Sequence, residues 1–290
     1  MSMKTKFFVP ALSLSMLIVL SSCGGDEKEV KIEQTQEKIE LGNKVEKVED
    51  AKTIDPSWKK DNILVFHTLG DPGDMHPTNG NTAQRQEITL YTQVFLVNTD
   101  FQKLDLYPQL AATKPEISAN GLEYTYTLKK DLKWDDGSPI TAEDVVFTFK
   151  ANICPLVNNP HAKPYLESIK DIKVIEPYKL TFVMRDNYVQ NLYIMTDFPL
   201  MQRAYFDKAN LLNNYTFAQF LDKKFVADKD EKLKNWASEF NSPKYGHDPA
   251  SIVGGGPYKI ESWESGQSVT LVKKKNHWTA GKTGLFENAF

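Results

Sequence analysis

The five histidines are the side chains of this 290-residue chain best suited to metal binding or to proton transfer near neutral pH. No two of them stand three or four residues apart, and none stands beside a cysteine. A metal site on one helix needs that spacing, and structural zinc sites need clustered cysteine and histidine. The sequence therefore favours no protein-donated metal site, and a nickel or haem ligand is the less favoured alternative. The histidines are His67, His76, His161, His247 and His277.

Two pairs of aspartates have a spacing that could form a carboxylate dyad: Asp71 with Asp74, and Asp135 with Asp136. Each pair lies in a glycine-containing turn, where an aspartate side chain accepts hydrogen bonds from its own backbone. General acid–base catalysis needs a carboxyl group with a raised pKa inside a pocket, and the sequence shows neither. The segment around Ser265 also lacks the nucleophile-elbow and phosphate-loop patterns. We therefore predict structural aspartates, no catalytic residues, no cofactor and a protein that is not an enzyme.

Composition and charge limit the classes of protein to which the chain can belong. Hydrophobic residues make up 41% of the chain, enough for a substantial core, and the formal net charge is only −3. Nucleic-acid-binding proteins usually carry a basic patch and a high isoelectric point, so no nucleic-acid partner is expected. The two cysteines, Cys23 and Cys154, offer neither a disulfide framework nor a zinc cluster. We predict that Cys154 is a small buried apolar side chain.

The N-terminal segment has the layout of a bacterial secretory signal. Two lysines precede an uncharged, apolar stretch at residues 7–20, which is short for a transmembrane helix. Residues 20–23 (LSSC) resemble the lipobox, in which a cysteine is acylated and becomes the new N-terminus. Residues 1–23 are therefore predicted to be a lipoprotein signal peptide ending at a lipidated Cys23. Its acyl chains would anchor the protein to a bacterial membrane in the cell envelope, facing the periplasm or the cell exterior.

Residues 24–57 are charged and poor in large apolar side chains. Between residues 24 and 53 there are nine acidic residues, six lysines and no aromatic residue. Such a segment buries too little surface to offset the entropy of ordering it. A flexible tether between the anchor and the body of the protein is predicted.

The clearest structural pattern of the body lies in the middle of the chain. Aromatic and aliphatic residues alternate with polar ones over residues 122–128, which predicts a strand with one buried face. A short strand is predicted at residues 132–134, followed by a turn in which Gly137 takes a positive φ. Thr141 is a good helix N-cap, and the helix dipole favours the acidic residues that follow it. A helix with one buried face is therefore predicted from Ala142.

Further elements follow from the same periodicities. The pattern predicts a buried strand at residues 62–67, a turn-rich loop at 69–77, a helix at 88–97, hairpins at 169–175 with 179–184 and at 259–263 with 268–273, short helices at 189–195 and 200–206, and helical structure within 211–240. Three consecutive glycines, Gly254, Gly255 and Gly256, permit either a hinge or a close crossing of two backbone segments.

Several of these segments resemble the motifs of one protein family. They are residues 107–111 (YPQLA), 124–128 (YTYTL), 134–145 (WDDGSPITAEDV), 254–258 (GGGPY) and 276–278 (NHW), in that order. The chain from residue 62 to residue 278 thus resembles the extracellular solute-binding proteins of family 5, the receptors of oligopeptide, dipeptide and nickel ABC transporters. Three positions depart from the family pattern: Gly255 replaces a threonine, His76 an aspartate and Lys275 an arginine.

The resemblance implies an α/β chain of the mixed α+β type, with a lobe like that of type II periplasmic binding proteins and an inserted small α+β subdomain. Domain I would comprise residues 58–84 and 169–280, and domain II would be the insertion at residues 85–168. Residues 281–290 would begin a third domain. Because family members continue well past the last motif, the chain resembles an N-terminal portion, with the C-terminal lobe expected to be missing.

The same resemblance implies a receptor whose two lobes close over an extended peptide held mainly by main-chain hydrogen bonds. The residues expected to line the cleft are Gly80, Asn81, Thr82 and Ala83, which follow the turn-rich loop. The implied partners are a peptide ligand and an ABC permease with its ATPase, and a monomer is expected. The alternatives are a lipoprotein with the same scaffold but a sensing or structural role, and a receptor for a nickel- or haem-type solute.

Overall fold

The computed structural model describes residues 65–100, 102–103, 105–159 and 161–279. The predicted signal peptide with Cys23, the tether at residues 24–57 and the predicted third-domain segment at residues 281–290 lie outside the described residues. Within the described part of the chain, no helix has both the length and the apolar composition needed to cross a membrane.

The described residues form eight α-helices and eight β-strands, with 3₁₀ turns at Leu211–Asn214 and Ala227–Lys229. The helices are α1 (Ala83–Thr92), α2 (Ala142–Ile153), α3 (Lys163–Leu166), α4 (Asn191–Ile194), α5 (Arg203–Phe206), α6 (Phe217–Leu221), α7 (Glu231–Phe240) and α8 (Lys244–His247). The strands are β1 (Val97–Asp100), β2 (Asp105–Pro108), β3 (Glu116–Ile117), β4 (Glu123–Thr127), β5 (Ile169–Glu176), β6 (Lys179–Met184), β7 (Tyr258–Glu264) and β8 (Ser268–Lys273). The helical segments predicted between residues 189 and 240 are present as α4 to α7.

A four-stranded antiparallel sheet with the strand order β3-β4-β6-β5 contributes side chains to the main hydrophobic core. Strand β4 confirms the strand predicted at residues 122–128, and β5 with β6 confirms the hairpin predicted at residues 169–175 and 179–184. The sheet takes strands from both sides of residue 168. The division into domains I and II at that residue stays a prediction.

Helix α2 packs against this sheet through aromatic side chains. The ring centroids of Phe149 and Phe182 lie 4.9 Å apart, and those of Tyr126 and Phe182 lie 5.9 Å apart. Edge-to-face contacts of this kind add to the stabilisation from burial. The helix begins where the sequence predicts, because the Asp144 carboxylate accepts the backbone N–H of Thr141 at 2.9 Å. Local sequence and long-range packing therefore agree at this helix.

The turn before α2 also follows the sequence pattern. Gly137 takes the predicted positive φ, at 84°. The short strand predicted at residues 132–134 is reduced to a single bridge between Lys133 and Pro139. A one-residue ladder is too short to count as a strand, although its position is the predicted one.

Helix α1 begins five residues earlier than the sequence pattern predicts. The apolar run predicted a helix at residues 88–97, whereas α1 spans Ala83–Thr92 and Val97 already begins β1. The predicted bounds are wrong because Thr82 caps the helix, its hydroxyl oxygen accepting the backbone N–H of Arg85 at 3.2 Å. The apolar residues after α1 instead enter the core as an extended segment.

The buried strand predicted at residues 62–67 is wrong in its described part. Residues 65–67 form no strand, and Val65 and Phe66 keep 71% and 59% of their accessible surface. No described strand lies beside them, so their backbone groups have no ladder to join. Residues 62–64 lie outside the described range.

The hairpin β7–β8 confirms the pair of strands predicted at residues 259–263 and 268–273. It packs on a small apolar cluster of its own, whose buried members are Met75, Ile252 and Ile260. Through this cluster the hairpin contacts both the loop before α1, at Met75, and the segment just before the three glycines, at Ile252.

Candidate ligand-binding site

A buried histidine holds the loop that precedes α1, which carries the residues predicted to contact a ligand. His76 is 1% exposed, its Nε2–H donates to the Phe240 carbonyl oxygen at 2.6 Å, and its Nδ1 accepts the Thr78 backbone N–H at 3.2 Å. These contacts require a neutral ring protonated at Nε2, and burial lowers the pKa of His76 below its usual value. An uncharged ring thus ties the loop to the end of α7.

Arg85 supports the same loop from α1. Its guanidinium is buried, and Nη2 donates to the carbonyl oxygens of His76 at 2.8 Å and Pro77 at 3.1 Å. Gly80 passes directly over it with φ of 75°, and a Cβ there would lie 3.1 Å from Arg85 Cδ. A side chain at this position would therefore be both strained and crowded. The loop tip keeps its shape because a buried cation holds the backbone beneath it.

A polar cavity of about 180 Å³ opens beside the tip of this loop. The Oδ1 atom of Asn79 is buried in its wall and has no hydrogen-bond partner among the described residues. A buried acceptor without a partner costs free energy, which an N–H donor brought within its reach would offset. None of the described lining residues is a carboxylate, a lysine or an arginine, and the asparagine amides both donate and accept hydrogen bonds. The lining residues are Thr78, Asn79, Gly80, Asn81, Asn158 and His161.

The four residues predicted to line the cleft do not all reach this cavity. Gly80 and Asn81 line it, whereas Thr82 and Ala83 do not. The Thr82 hydroxyl is engaged elsewhere, because it donates to the Pro72 carbonyl at 2.8 Å, and Ala83 is the first residue of α1. Ligand contact itself stays a prediction for all four.

Four residues of the cavity were missed by sequence reasoning. Thr78 and Asn79 adjoin the predicted residues, while Asn158 and His161 come from the segment between α2 and α3. No spacing rule links that segment to the loop before α1. The one feature of the sequence that could have linked the two segments is their composition, because both are rich in asparagine: TNGN at residues 78–81 and NNPH at residues 158–161.

The triple glycine lies against the C-terminal end of α1. The Gly256 N–H donates to the Thr92 carbonyl at 3.0 Å, and a Cβ at Gly256 would lie 2.5 Å from the Thr92 carbonyl carbon. None of Gly254, Gly255 and Gly256 has a positive φ. The structure therefore shows a close backbone crossing, the second of the two alternatives, and the hinge role of these glycines stays a prediction.

Lys274 and His277, which follow β8, stabilise this crossing through hydrogen bonds from their side chains. Lys274 Nζ donates to the Gly254 carbonyl at 2.6 Å and lies 2.8 Å from a carboxylate oxygen of Asp135. His277 Nε2–H donates to the Gly255 carbonyl at 2.8 Å. The glycine motif and the later NHW motif are thus parts of one arrangement, although 20 residues or more separate the bonded pairs.

The aspartates have the structural role that turn chemistry predicts. Asp71, Asp74 and Asp136 each accept the backbone N–H two residues further on, at 2.8, 2.6 and 2.9 Å. Asp71 also accepts the Gly266 N–H at 2.7 Å, and its backbone hydrogen bonds lower the pKa of its carboxyl group. A carboxylate stabilised in the ionised form, as at Asp71, is a poor general acid. The prediction of structural aspartates is confirmed at these three positions.

Cys154 is also placed as predicted. It is a free thiol without exposed surface, and burial raises its pKa to about 11. Such a thiol is a poor nucleophile and packs as a small apolar side chain. Across the described ranges, no three His, Cys, Asp or Glu side chains come together as a possible set of metal ligands.

Comparison with known proteins gives a family match and several sequence relatives. Residues 105–286 match the family model described as bacterial extracellular solute-binding proteins, family 5 Middle. The oligopeptide-binding protein AppA of Bacillus subtilis is 26% identical over 211 residues, covering 72% of this chain and 33% of AppA. OppA of the same species is 24% identical over 289 residues, covering 98% of this chain and 45% of OppA. The dipeptide-binding protein of Escherichia coli is 25% identical over 230 residues, covering 74% of this chain and 38% of that protein.

Solved structures share the fold at lower identity. Bacillus subtilis AppA in complex with a nonapeptide aligns with a TM-score of 0.53 and 20% identity, over 72% of this chain and 36% of AppA. The Borrelia burgdorferi oligopeptide-binding protein OppAIV aligns with a TM-score of 0.55 and 17% identity, over 73% of this chain and 39% of OppAIV. These alignments confirm the predicted type II periplasmic binding fold. The chain spans between 33% and 45% of the length of the three sequence relatives above. Because the family model covers more than half of the chain, this protein belongs to the bacterial extracellular solute-binding proteins of family 5.

Proposed function

We propose that this protein captures peptides outside the cytoplasm as the substrate-binding component of an ABC transporter and delivers them to the permease. The observation that carries the proposal is the family match over residues 105–286. Relatives named for oligopeptide and dipeptide binding support peptides as the ligand class. Because the chain spans less than half of each of these relatives, peptide capture and delivery are proposals for the whole protein.

The cavity beside the loop supplies chemistry that suits a peptide backbone. A peptide unit presents one N–H and one C=O, and an asparagine amide can bond both. Asn79 Oδ1 is an acceptor without a partner, and Gly80 carries no side chain that would keep a ligand backbone at a distance. The volume of about 180 Å³ lies below the range of roughly 300–1,000 Å³ typical of small-molecule sites. The cavity would therefore receive one peptide unit or one side chain of a longer ligand.

A titration followed by two-dimensional NMR tests peptide capture even when binding is weak. Tetra-alanine is added to the isotope-labelled chain, and the side-chain amide signals of Asn79, Asn81 and Asn158 are expected to shift. Asn81→Ala should weaken binding by about threefold to tenfold, as loss of one hydrogen bond predicts. Asn235→Ala is the matched control, because Asn235 is exposed on α7 and lies outside the cavity.

Two results would contradict the proposed contact. One is the absence of shifts in these amides at millimolar peptide. The other is an equal loss of affinity in the Asn81→Ala and Asn235→Ala variants. A parallel titration with nickel and free histidine tests the alternative of a nickel-type solute, for which shifts should centre on histidine signals instead.

We further propose that the chain is a monomeric lipoprotein of the cell envelope, anchored through Cys23 and connected to its body by residues 24–57. The signal-like N-terminus and the LSSC motif support this. Metabolic labelling with an alkynyl palmitate should label the wild-type protein and not the Cys23→Ser variant. Cys154→Ser should keep the label, because that thiol is buried. Equal labelling of both variants would exclude Cys23 as the acylated residue.

A further inference from the structure

A second cavity, which we call the α2–β5 cavity, has a volume of about 290 Å³ and a wall shared by α2, β5 and the chain around the start of α6. It shares no lining residue with the cavity beside the loop before α1. Its residues are Glu143, Val146, Lys150, Asp171, Ile172, Val174, Asn213, Tyr215, Thr216 and Phe217. The α2–β5 cavity is thus a separate place at which a small ligand could bind.

The ammonium group of Lys150 is the positive charge of this cavity. Nζ donates to the Leu212 carbonyl oxygen at 3.1 Å, and no carboxylate of the described chain forms an ion pair with it. Asp207 attracts the ammonium group electrostatically, but its two carboxylate oxygens accept the N–H groups of Leu211 at 2.8 Å and Leu212 at 2.9 Å rather than pairing with Lys150. A partly buried ammonium with one neutral acceptor keeps the capacity to bind an anionic oxygen.

Two carboxylates of the same cavity supply the opposite charge. Glu143 stands two helical turns before Lys150 on α2, and Asp171 projects from β5. Asp171 uses one oxygen to accept the Ile172 backbone N–H at 2.9 Å. Both carboxylates act on Lys150 electrostatically, and their attraction opposes the effect of burial on the lysine pKa. The wall therefore carries separated positive and negative groups rather than a closed ion pair.

The remaining wall combines apolar side chains with two neutral polar ones, Asn213 and Thr216. Ile172, Tyr215 and Phe217 are buried there, and Val174 is 38% exposed. An apolar surface flanked by charges of both signs suits a small molecule with an aliphatic part and two opposite charges. The two carboxylates would repel a simple anion, and a simple amine would leave the Lys150 ammonium without an anionic partner. A volume near the lower end of the usual range for small-molecule sites fits a ligand of single-amino-acid size.

We propose that the α2–β5 cavity binds a free aliphatic amino acid, with the ligand carboxylate on Lys150, its ammonium group towards Glu143 and Asp171, and its side chain against Ile172 and Val174. This inference goes beyond peptide capture, because it assigns a second ligand class to a different part of the molecule. It does not rest on the proposed function.

Three probes of similar shape test the charge requirement on the full chain. L-Leucine carries both charges, 4-methylpentanoate lacks the ammonium group, and 3-methylbutylamine lacks the carboxylate. In two-dimensional NMR, leucine should shift the backbone amides of residues 143–150, 171–174 and 213–217. The other two probes should bind about tenfold more weakly, as loss of one charge-assisted contact predicts. Equal binding of all three probes, or no shift with leucine, would overturn the proposal.

A matched pair of variants tests the role of Lys150. Lys150→Met keeps the aliphatic stem and removes the ammonium group, and it should weaken leucine binding by about tenfold. Lys163→Met is the control, because Lys163 is also partly buried and donates to the Val157 carbonyl at 3.1 Å, but does not line the cavity. Both variants are first checked for an unchanged fold by their NMR spectra. Unchanged leucine affinity in Lys150→Met, or equal losses in both variants, would contradict the assignment.

Adding a saturating peptide separates this inference from the proposed function. Leucine should still bind with unchanged affinity, since the two cavities share no residue. Displacement of leucine by peptide would show a single shared site and overturn the proposal. If the peptide does not bind, the resonances of the loop before α1 stay unshifted and the proposed function fails. Leucine binding to the α2–β5 cavity is decided separately, by the shifts of its own lining residues.

Discussion

Two regions of the molecule are stabilised in different ways. The core region consists of α2 and the four-stranded sheet, and its side chains Tyr126, Phe149 and Phe182 have no exposed surface. The loop region consists of residues 71–82, the triple glycine and the hairpin β7–β8. The buried apolar cluster against which it packs has three members, and hydrogen bonds to backbone groups connect it across long stretches of sequence.

This difference bears on how a binding protein can vary its ligand. Packing in the core region sets the fold and depends on the summed burial of many side chains. In the loop region, single contacts such as Arg85 with the His76 carbonyl set the shape of the candidate cavity. Changes in the loop region should therefore alter the site with modest loss of global stability, whereas changes in the core region should destabilise the whole chain more strongly.

The largest effect is expected in the core region. Phe182→Ala removes a buried ring that contacts both Tyr126 and Phe149, and should lower the free energy of unfolding by about 3–5 kcal/mol. Urea denaturation followed by circular dichroism measures this loss. Phe66→Ala is the control: Phe66 is 59% exposed, so a change within about 0.5 kcal/mol is expected. Equal losses in the two variants would contradict the assignment of the core.

The close glycine crossing should be the most sensitive point of the loop region. Gly256→Ala places a Cβ 2.5 Å from the Thr92 carbonyl carbon, so the backbone must shift at a cost of about 1–3 kcal/mol. At Gly70 a Cβ meets nothing within 4 Å, and Gly70→Ala should be close to neutral. The same denaturation experiment compares them. If Gly256→Ala were as stable as Gly70→Ala, the crossing would be looser than described.

The buried imidazole should make the loop region sensitive to pH. Burial is the largest cause of the lowered pKa of His76, opposed by the Phe240 carbonyl and by Asp74, while Arg85 lowers it further. A lowered folded-state pKa means that the unfolded chain binds the proton more readily. The stabilisation from the neutral ring is thus complete above the ordinary value of 6.5 and is lost as pH falls from there towards the folded-state pKa.

His76→Gln tests this pH dependence. Between pH 8 and pH 5 the free energy of unfolding of the wild type should decline more steeply than that of the variant. Parallel curves for the two proteins would show that His76 contributes nothing to the pH dependence.

The smallest effect is expected where the loop meets the hairpin. Asp71→Asn weakens the contacts with the Gly266 N–H and the Trp263 indole N–H, and should cost no more than about 1 kcal/mol at this solvated site. Hydrogen exchange of the Gly266 amide should accelerate while exchange in α2 stays unchanged. Asp228→Asn, at an exposed position with no such contact, is the control. Faster exchange throughout α2 would show that the two regions do not open independently.

Sequence patterns succeeded where short-range rules decide the structure. The alternation in β4, the positive φ of Gly137 and the capped start of α2 all depend on neighbouring residues, and all were predictable. Helix α1 was misplaced because the apolar run after it resembles a helix face, while the deciding cap at Thr82 precedes the run. Residues 65–67 were misassigned because an apolar run alone does not show whether a partner strand lies beside it.

The candidate site was only partly predictable for a related reason. Gly80 and Asn81 lie in a loop that the family motif locates, so their position could be inferred. Asn158 and His161 reach the same cavity from a distant segment, through tertiary folding that no local pattern encodes. The hydrogen bonds from Lys274 and His277 to the triple glycine likewise could not be predicted from sequence patterns, because they join residues that only tertiary folding brings together.

Hydrogen exchange with and without a bound peptide tests the central claim most directly, namely that the loop region receives the ligand while the core region acts as scaffold. Saturating tetra-alanine should slow exchange at the amides of residues 78–82, 158, 159 and 161 and leave those in the interior of α2 unchanged. Protection confined to α2 and the sheet, or no protection in the loop region at saturating peptide, would contradict it.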